Sequence, residues 1–402
     1  MRYSFRLAEL LGHIPDPRKR PGTIKTIVEY TGLDRHQVAA LLNNEVKYIP
    51  LKALSRLCDY LIEHGHVPAD QLPGALFAIE PENFWEMLAR RKRLELCVGV
   101  RREEEGRNAE NAWIVASDSV LLGELLNGVS TLGGTARHQQ AVQPSGGIHP
   151  HPEHLKQTLV WSPFQSTDET VQDRAEEVYR EFSHTTSDKA LVCLGSVKSN
   201  PVTELIFAET FHCDPFTSQD TIGAKADRSC PIYLRYRDDD PHPASCCAGI
   251  TLGQDGDDRQ PGIYYQNPDG SWSLCPWTPE KDDAAFVFYI HREAQGRLEM
   301  VLGGFSGRAT RLLAKYLSGR AESLWPPVFE GQGVQIGAFV IQFSVTPGSR
   351  KASDLIRIDP LAQTRVIPLS PEVIEQKLLH PRGPRRRTEP QQPDVVPLEV
   401  EA

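Results

Sequence analysis

Arg35, His36 and Asn43 are the side chains in this sequence best suited to reading hydrogen-bonding edges, and a single short segment carries all three. A guanidinium forms a bidentate pair with guanine O6 and N7, and a carboxamide does the same with adenine N6 and N7. Ala39 and Ala40 lie between them, small enough to let a helix backbone approach a groove and to touch thymine methyls. Gln37 adds a carboxamide to the same segment. Thr23, Asn44, Lys47 and Tyr48 flank it with the donors that hold phosphate oxygens, which add affinity without sequence information. These residue types point to double-stranded DNA as a partner.

A second group of residues points to small molecules. In LVCLGSVKSNPVTELIFAETF an apolar run ends in Gly195-Ser196, passes Lys198, Ser199 and Asn200, and enters a helix with Pro201 at its start. In MVLGGFSGRATRLLAKYL, Gly303, Gly304, Ser306, Gly307, Arg308 and Thr310 make a similar junction. Ligands of open α/β sheets sit outside the carboxyl ends of the strands, where helix N-termini present N–H groups to anions. A small anionic ligand or nucleotide is therefore the expected class, with Lys198 and Arg308 as charge partners. Neither loop is a G-x-x-x-x-G-K-[ST] or G-x-G-x-x-G motif, and no resident cofactor is expected.

Acid/base chemistry has one candidate pair. Asp118 follows an apolar run and Glu204 lies one turn into the helix after Asn200, an arrangement compatible with a nucleotide- or NAD-processing enzyme. N-capping accounts equally well for Asp118, and no G-x-S-x-G elbow occurs. The main reading is therefore not an enzyme. Eight cysteines are scattered without a C-x-x-C pair, which argues for reduced thiols, and vicinal Cys246-Cys247 reads as loop thiols. His149, His151 and His154 sit among prolines in a glycine-rich stretch and read as surface histidines, so no metal site is expected.

The base-reading residues need a helix held at an angle to its neighbour. Ile24, Ile27 and Val28 fall at i, i+3 and i+4, and Val38, Leu41 and Leu42 repeat that spacing after Thr31-Gly32-Leu33. Gly32 can adopt positive φ, Leu33 can plug the interhelix angle, and Asp34 is a good N-cap for a helix from Arg35. This pattern resembles the helix-turn-helix of lambda-repressor and Cro-like (XRE-type) transcription regulators over residues 1–75. One position departs, since that family usually has a small residue where Val28 stands. The resemblance implies four or five short helices, a dimer on two half-sites, and a prokaryotic, sequence-specific DNA-binding regulator. A helix over 3–11 opens the bundle, and Leu51, Leu54, Leu57, Cys58, Leu61 and Ile62 mark a helix that closes it.

At 402 residues the chain predicts two domains. It lacks a signal-peptide hydrophobic region and any apolar run of the roughly 20 residues that span a bilayer, so a cytoplasmic location without membrane contact is expected. Residues 1–93 hold 14 Lys and Arg against 11 Asp and Glu, a net +3 that leaves −12 of the total −9 for the remainder. Arg90, Arg91, Lys92 and Arg93 end a linker helix expected over 76–93, and could touch flanking phosphates.

From residue 94 the apolar pattern becomes strand-like. The segments 94–100, 112–117, 158–162, 190–196, 231–236, 284–290, 298–304 and 336–345 read as strands, many apolar on both faces. Helices are expected over 118–127, 168–182, 201–211 and 307–318, and Asn267-Pro268-Asp269-Gly270 marks a hairpin. The fold class that follows is an α+β multidomain chain: an N-terminal all-α helix-turn-helix bundle, then an α/β Rossmann-like domain over 94–370 with a mixed, mostly parallel sheet. That domain is expected to sense a ligand or mediate homodimer assembly. A mobile loop is expected at about 130–155, and a disordered tail from 371 to 402.

Overall fold

The computed structural model describes residues 3–11, 23–43, 45–69, 72, 76–79, 81–102, 112–133, 152–163, 169–184, 188–217, 223–253, 259–292, 295–331, 333–344 and 361–379. Its first unit contains β1 (Tyr3–Phe5), α1 (Leu7–Leu10), α2 (Thr23–Thr31), α3 (Arg35–Leu42), α4 (Leu51–Glu63) and β2 (Phe77–Ile79). Leu7, Ile27, Leu33, Val38, Leu41, Leu57, Leu61 and Leu76 make its core. The helix expected over 3–11 is a strand followed by a single helical turn. The strand pairs antiparallel with β2, placing Phe5 opposite Phe77 with ring centroids 5.5 Å apart. A partner more than 70 residues away leaves no trace in local periodicity, which is why the segment reads as helical.

The linker helix expected over 76–93 is also revised. β2 belongs to the first unit, while α5 (Phe84–Ala89) buries Phe84, Trp85, Met87 and Leu88 in the core of the sheet domain. Asn83 caps α5, its side chain accepting from Glu86 N at 2.9 Å. Three residues of the basic run pair with acids, Arg90 with Glu86, Arg91 with Asp188 and Arg93 with Glu95, while Lys92 is exposed.

Beyond it come β3 (Arg93–Arg102), β4 (Ala112–Ile114), α6 (Ala116–Thr131), β5 (His154–Trp161), α7 (Glu169–His184), β6 (Lys189–Leu194) and α8 (Val202–Phe211). A small antiparallel-rich lobe follows, with β7 (Ile232–Arg235), β8 (Ala248–Gly249), β9 (Gly262–Gln266) and β10 (Trp272–Pro276) in the order β10-β9-β7-β8. The chain then returns through β11 (Asp282–Arg292), β12 (Arg297–Gly304), α9 (Gly307–Arg320), β13 (Phe329–Gly331), β14 (Val334–Ser344), β15 (Thr364–Pro368) and α10 (Pro371–Leu379). The hairpin expected at 267–270 joins β9 to β10, with Gly270 N donating to Asn267 O.

Nine strands form the main sheet along β13-β14-β11-β12-β6-β3-β4, with β15 also on β14 and β5 also on β3. Alternate residues of each central strand enter opposite cores. Leu94, Leu96 and Val98 of β3 join α5, α6 and α9 on one face; Cys97 joins α7, α8 and α10 on the other. This two-sided burial explains the nearly continuous apolar runs. The sheet is mixed, not mostly parallel: β5-β3, β3-β6 and β6-β12 are parallel pairs, whereas β12-β11, β11-β14, β14-β13, β14-β15 and β3-β4 are antiparallel. Direction depends on connections, and β11, β12 and β14 are joined so that the chain reverses. Residues 371–379, expected to begin a disordered tail, form α10, in which Val373 and Ile374 are buried and Ile374 joins the core on the α8 face. The mobile loop expected at about 130–155 overlaps α6, which runs to Thr131, and β5, which starts at His154; residues 134–151, with His149 and His151, and residues 380–402 lie outside the described residues.

Candidate functional site

The helix-turn-helix is built by local bonds. Thr31 Oγ1 donates to Ile27 O at 2.6 Å and accepts from Leu33 N at 3.3 Å, turning the chain off α2. Gly32 takes φ +73°, a left-handed conformation in which a Cβ is strained. Leu33, 5 % exposed, fills the angle between α2 and α3. Asp34 closes a capping box: its Oδ1 accepts from Gln37 N at 2.8 Å, and its own N donates to Gln37 Oε1 at 3.1 Å.

With Val38, Leu41 and Leu42 buried, α3 turns Arg35 and His36 to solvent, and Ala39 and Ala40 are half-buried beside them. Asn43 is exposed but stands just outside the helix as its C-cap, its N–H donating to Ala39 O at 3.0 Å. Gln37 is half-buried with its carboxamide oxygen in the capping box, so its NH2 donors are what it can offer a partner. Lys47 and Tyr48 are exposed beyond the helix, Tyr48 by 75 %. Thr23 begins α2; its side chain, like Asn44, lies outside what is described.

The two glycine-serine loops meet at the carboxyl ends of β3, β6 and β12. The chain leaves β3 toward β5 through α6 on one face and returns from β5 to β6 through α7 on the other. The carboxyl ends of β3 and β6 therefore flank a point where the direction of strand addition reverses. Asn200 fills it: its Nδ2 donates to Cys97 O at 2.9 Å and Leu194 O at 3.2 Å, and its Oδ1 accepts from Val202 N at 3.1 Å. Gly99 is required here, because a Cβ would stand 1.8 Å from Ser199 O. Ser199 Oγ donates to Ser196 O, and Thr203 Oγ1 to Gly195 O. Gly303 and Gly304 are spacers of the same kind, a Cβ on them striking Ser196 N and Thr310 N.

The groups expected to hold an anion are engaged within the protein. Lys198 is buried, its Nζ donating to Asp240 Oδ2 at 2.8 Å and lying over Tyr236 and Phe305. Arg308 Nε pairs with Asp283 Oδ2 at 3.1 Å, and its terminal nitrogens donate to the carbonyls of Thr278, Pro279 and Asp282. Ser306 caps α9 by accepting from Arg308 N and Ala309 N, with Gly307 as the first helical residue. Thr310 Oγ1 donates back to Ser306 O.

Asp118 is what the crevice leaves uncommitted. It lies in the first turn of α6, which starts at Ala116, so it is not the N-cap. Ser117 Oγ donates to its Oδ1 at 3.3 Å, while Oδ2 is buried without a hydrogen-bond partner among the described residues and points toward Gly195, 3.7 Å from the position of a Cβ there. Burial pushes its pKa up from 3.8 to about 6, against the smaller lowering effects of Ser117 and Arg101. The spacing of Arg101 and Ser117 in the sequence carries no signal that would single them out beside Asp118.

Among the described residues Glu204 shares no hydrogen-bond partner with Asp118. Its Oε1 accepts from Cys246 N at 2.6 Å and Phe216 N at 3.1 Å, and Ser245 Oγ and Cys247 Sγ donate to Oε2. Burial, then the neighbouring Cys247, pushes its carboxyl up to about 8, partly offset by the Ser245 and Cys246 donors. Cysteines scattered in sequence gather here, and a cleft of about 220 Å³ opens beside Glu204 between Pro201, Phe216, His242 and Ser245.

Residues 18–62 match the family model of the Cro/C1-type HTH DNA-binding domain. No curated protein and no solved structure matches the chain. No helix among the described residues is long and apolar enough to cross a membrane.

Proposed function

From the premise that residues 18–62 are a Cro/C1-type HTH DNA-binding domain, we propose that this protein is a sequence-specific, dimeric transcriptional regulator. The observation that carries this reading is the capped helix α3, which turns Arg35 and His36 outward beside two alanines and ends at exposed Asn43. Arg35 reads guanine, Asn43 reads adenine, and the alanines admit the backbone to the major groove. Gln37, Asn44, Lys47, Tyr48 and Thr23 position the domain on phosphate. The test is selection from random duplexes by the full-length protein at about 150 mM salt, where charge alone binds weakly. A palindrome enriched by the native protein and lost in Arg35→Ala and Asn43→Ala supports the assignment; enrichment that survives both substitutions refutes the reading face.

The sheet domain carries a second role in this proposal, as a sensor. Asp118 favours it, because a buried carboxylate oxygen without a partner beside a strand-order reversal calls for a hydrogen-bond donor from a ligand. With Lys198 and Arg308 committed, the donor is better supplied by hydroxyls, as on a ribose, than by contact with a phosphate. Titration with adenosine, ATP and NAD tests this: binding that Asp118→Asn removes supports the sensor, and unchanged binding in that variant moves the ligand elsewhere.

A further inference from the structure

Cys246, Cys247 and Glu204 each place a ligand-type atom within 4.8 Å of the other two, and all three residues are buried. Cys247 Sγ lies 3.5 Å from Glu204 Oε2. Sulfur and oxygen bound to one tetrahedral zinc at ordinary bond lengths are roughly 3.6 Å apart. Two further thiols flank the group, Cys230 interacting with Cys247 and Cys213 with Cys246. Among the described residues Glu204 is the acceptor in each of its hydrogen bonds: two backbone N–H groups donate to Oε1, and the Ser245 hydroxyl and Cys247 thiol to Oε2. That shell suits an ionised carboxylate, yet no cationic side chain pairs with Glu204 among the described residues.

We propose that Glu204, Cys246 and Cys247 form a binding site for a divalent cation of the zinc class, with Cys230, which contacts Cys247, as the candidate for a fourth ligand. Thiolates select such a cation over magnesium or calcium, and a metal charge answers the buried carboxylate. Ser245 and the N–H groups of Phe216 and Cys246 hold that carboxylate in one orientation, as outer hydrogen bonds do at metal sites. The cleft beside Glu204 and Ser245 is the entry path. Bound there, the cation ties α8 to the lobe built on β7 and β8, because Cys247 directly precedes β8 and Cys230 stands two residues before β7. Nothing in the sequence spacing announces the site, since its ligands come from a helix and a vicinal pair 42 residues apart.

The test uses the reduced full-length protein, stripped with a chelator and titrated with Zn²⁺ and with Co²⁺. One Zn²⁺ per chain, together with sulfur-to-cobalt charge-transfer bands and a tetrahedral cobalt spectrum, is expected. Glu204→Gln and Cys247→Ser each remove a direct ligand and should weaken binding by more than the roughly 10- to 100-fold that loss of an outer hydrogen bond costs, while Cys58→Ser, in the helical unit, leaves it unchanged. Circular dichroism establishes that each variant is folded, and Glu204→Gln, close in shape to the native residue, serves if Cys247→Ser is not. Absence of stoichiometric zinc, an octahedral cobalt spectrum without charge transfer, or native affinity in folded Glu204→Gln overturns the proposal.

Discussion

Asp118 links electrostatics to recognition most directly. Its carboxyl titrates at about 6 in the fold against 3.8 in its ordinary state, with burial as the main cause. A carboxyl raised in this way binds its proton more tightly when folded, so its effect is neutral below pH 3.8 and becomes fully destabilising as pH rises past about 6. The shift corresponds to about 3 kcal/mol at neutral pH. Asp118→Asn should therefore stabilise the sheet domain, with a gain about 1–1.5 kcal/mol larger near pH 7.5 than near pH 5. Urea midpoints of native and variant protein at both pH values check this, and a gain independent of pH contradicts it. A site whose charge opposes folding is one that a ligand can repay. Lys198 and Arg308 show the opposite behaviour: sequence marks them as free cations beside glycine loops, but each is neutralised by an acid far along the chain.

At the scale of elements, the turn into α3 rests on interactions within a few residues of each other, so it is legible without the fold. Gly32, Leu33 and Asp34 each play the part that their types suggest, and Gln37 completes the cap. Replacing Asp34 by Ala should cost about 1 kcal/mol of local stability, read as roughly fivefold faster amide exchange in the first turn of α3. Exchange at the native rate means that the cap does not hold the helix. The strands of the main sheet are legible for a related reason, since burial on both faces leaves long apolar runs. By contrast β1, β2 and α10 are short, and their stability comes from partners: β1 needs β2, and α10 needs the apolar surface beside α8. Asp118 shows the limit of capping logic, because the helix begins two residues before it and leaves it inside the first turn.

For the whole molecule, the charge division changes meaning once the partners are known. The excess of basic residues in 1–93 includes Arg90, Arg91 and Arg93, which pair with Glu86, Asp188 and Glu95. Specificity in the proposed regulator then depends on α3 and on duplication of the reading head. Light scattering of the purified protein should give twice the 44.9 kDa chain mass, and protection on DNA should show half-sites about 34 Å apart. A protein that remains one chain when bound to its selected duplex refutes the dimer.

The sequence by itself determined the helix-turn-helix, the buried strands and the helices between them, because capping, turn conformation and apolar periodicity act over a few residues. Strand direction, the neutralised cations, the unpartnered oxygen of Asp118 and the meeting of Glu204 with Cys246 and Cys247 were decided only by tertiary structure. Those properties depend on which distant segments become neighbours: a parallel pair and an antiparallel pair bury the same residues, and an arginine reads as free until the acid that holds it is in place.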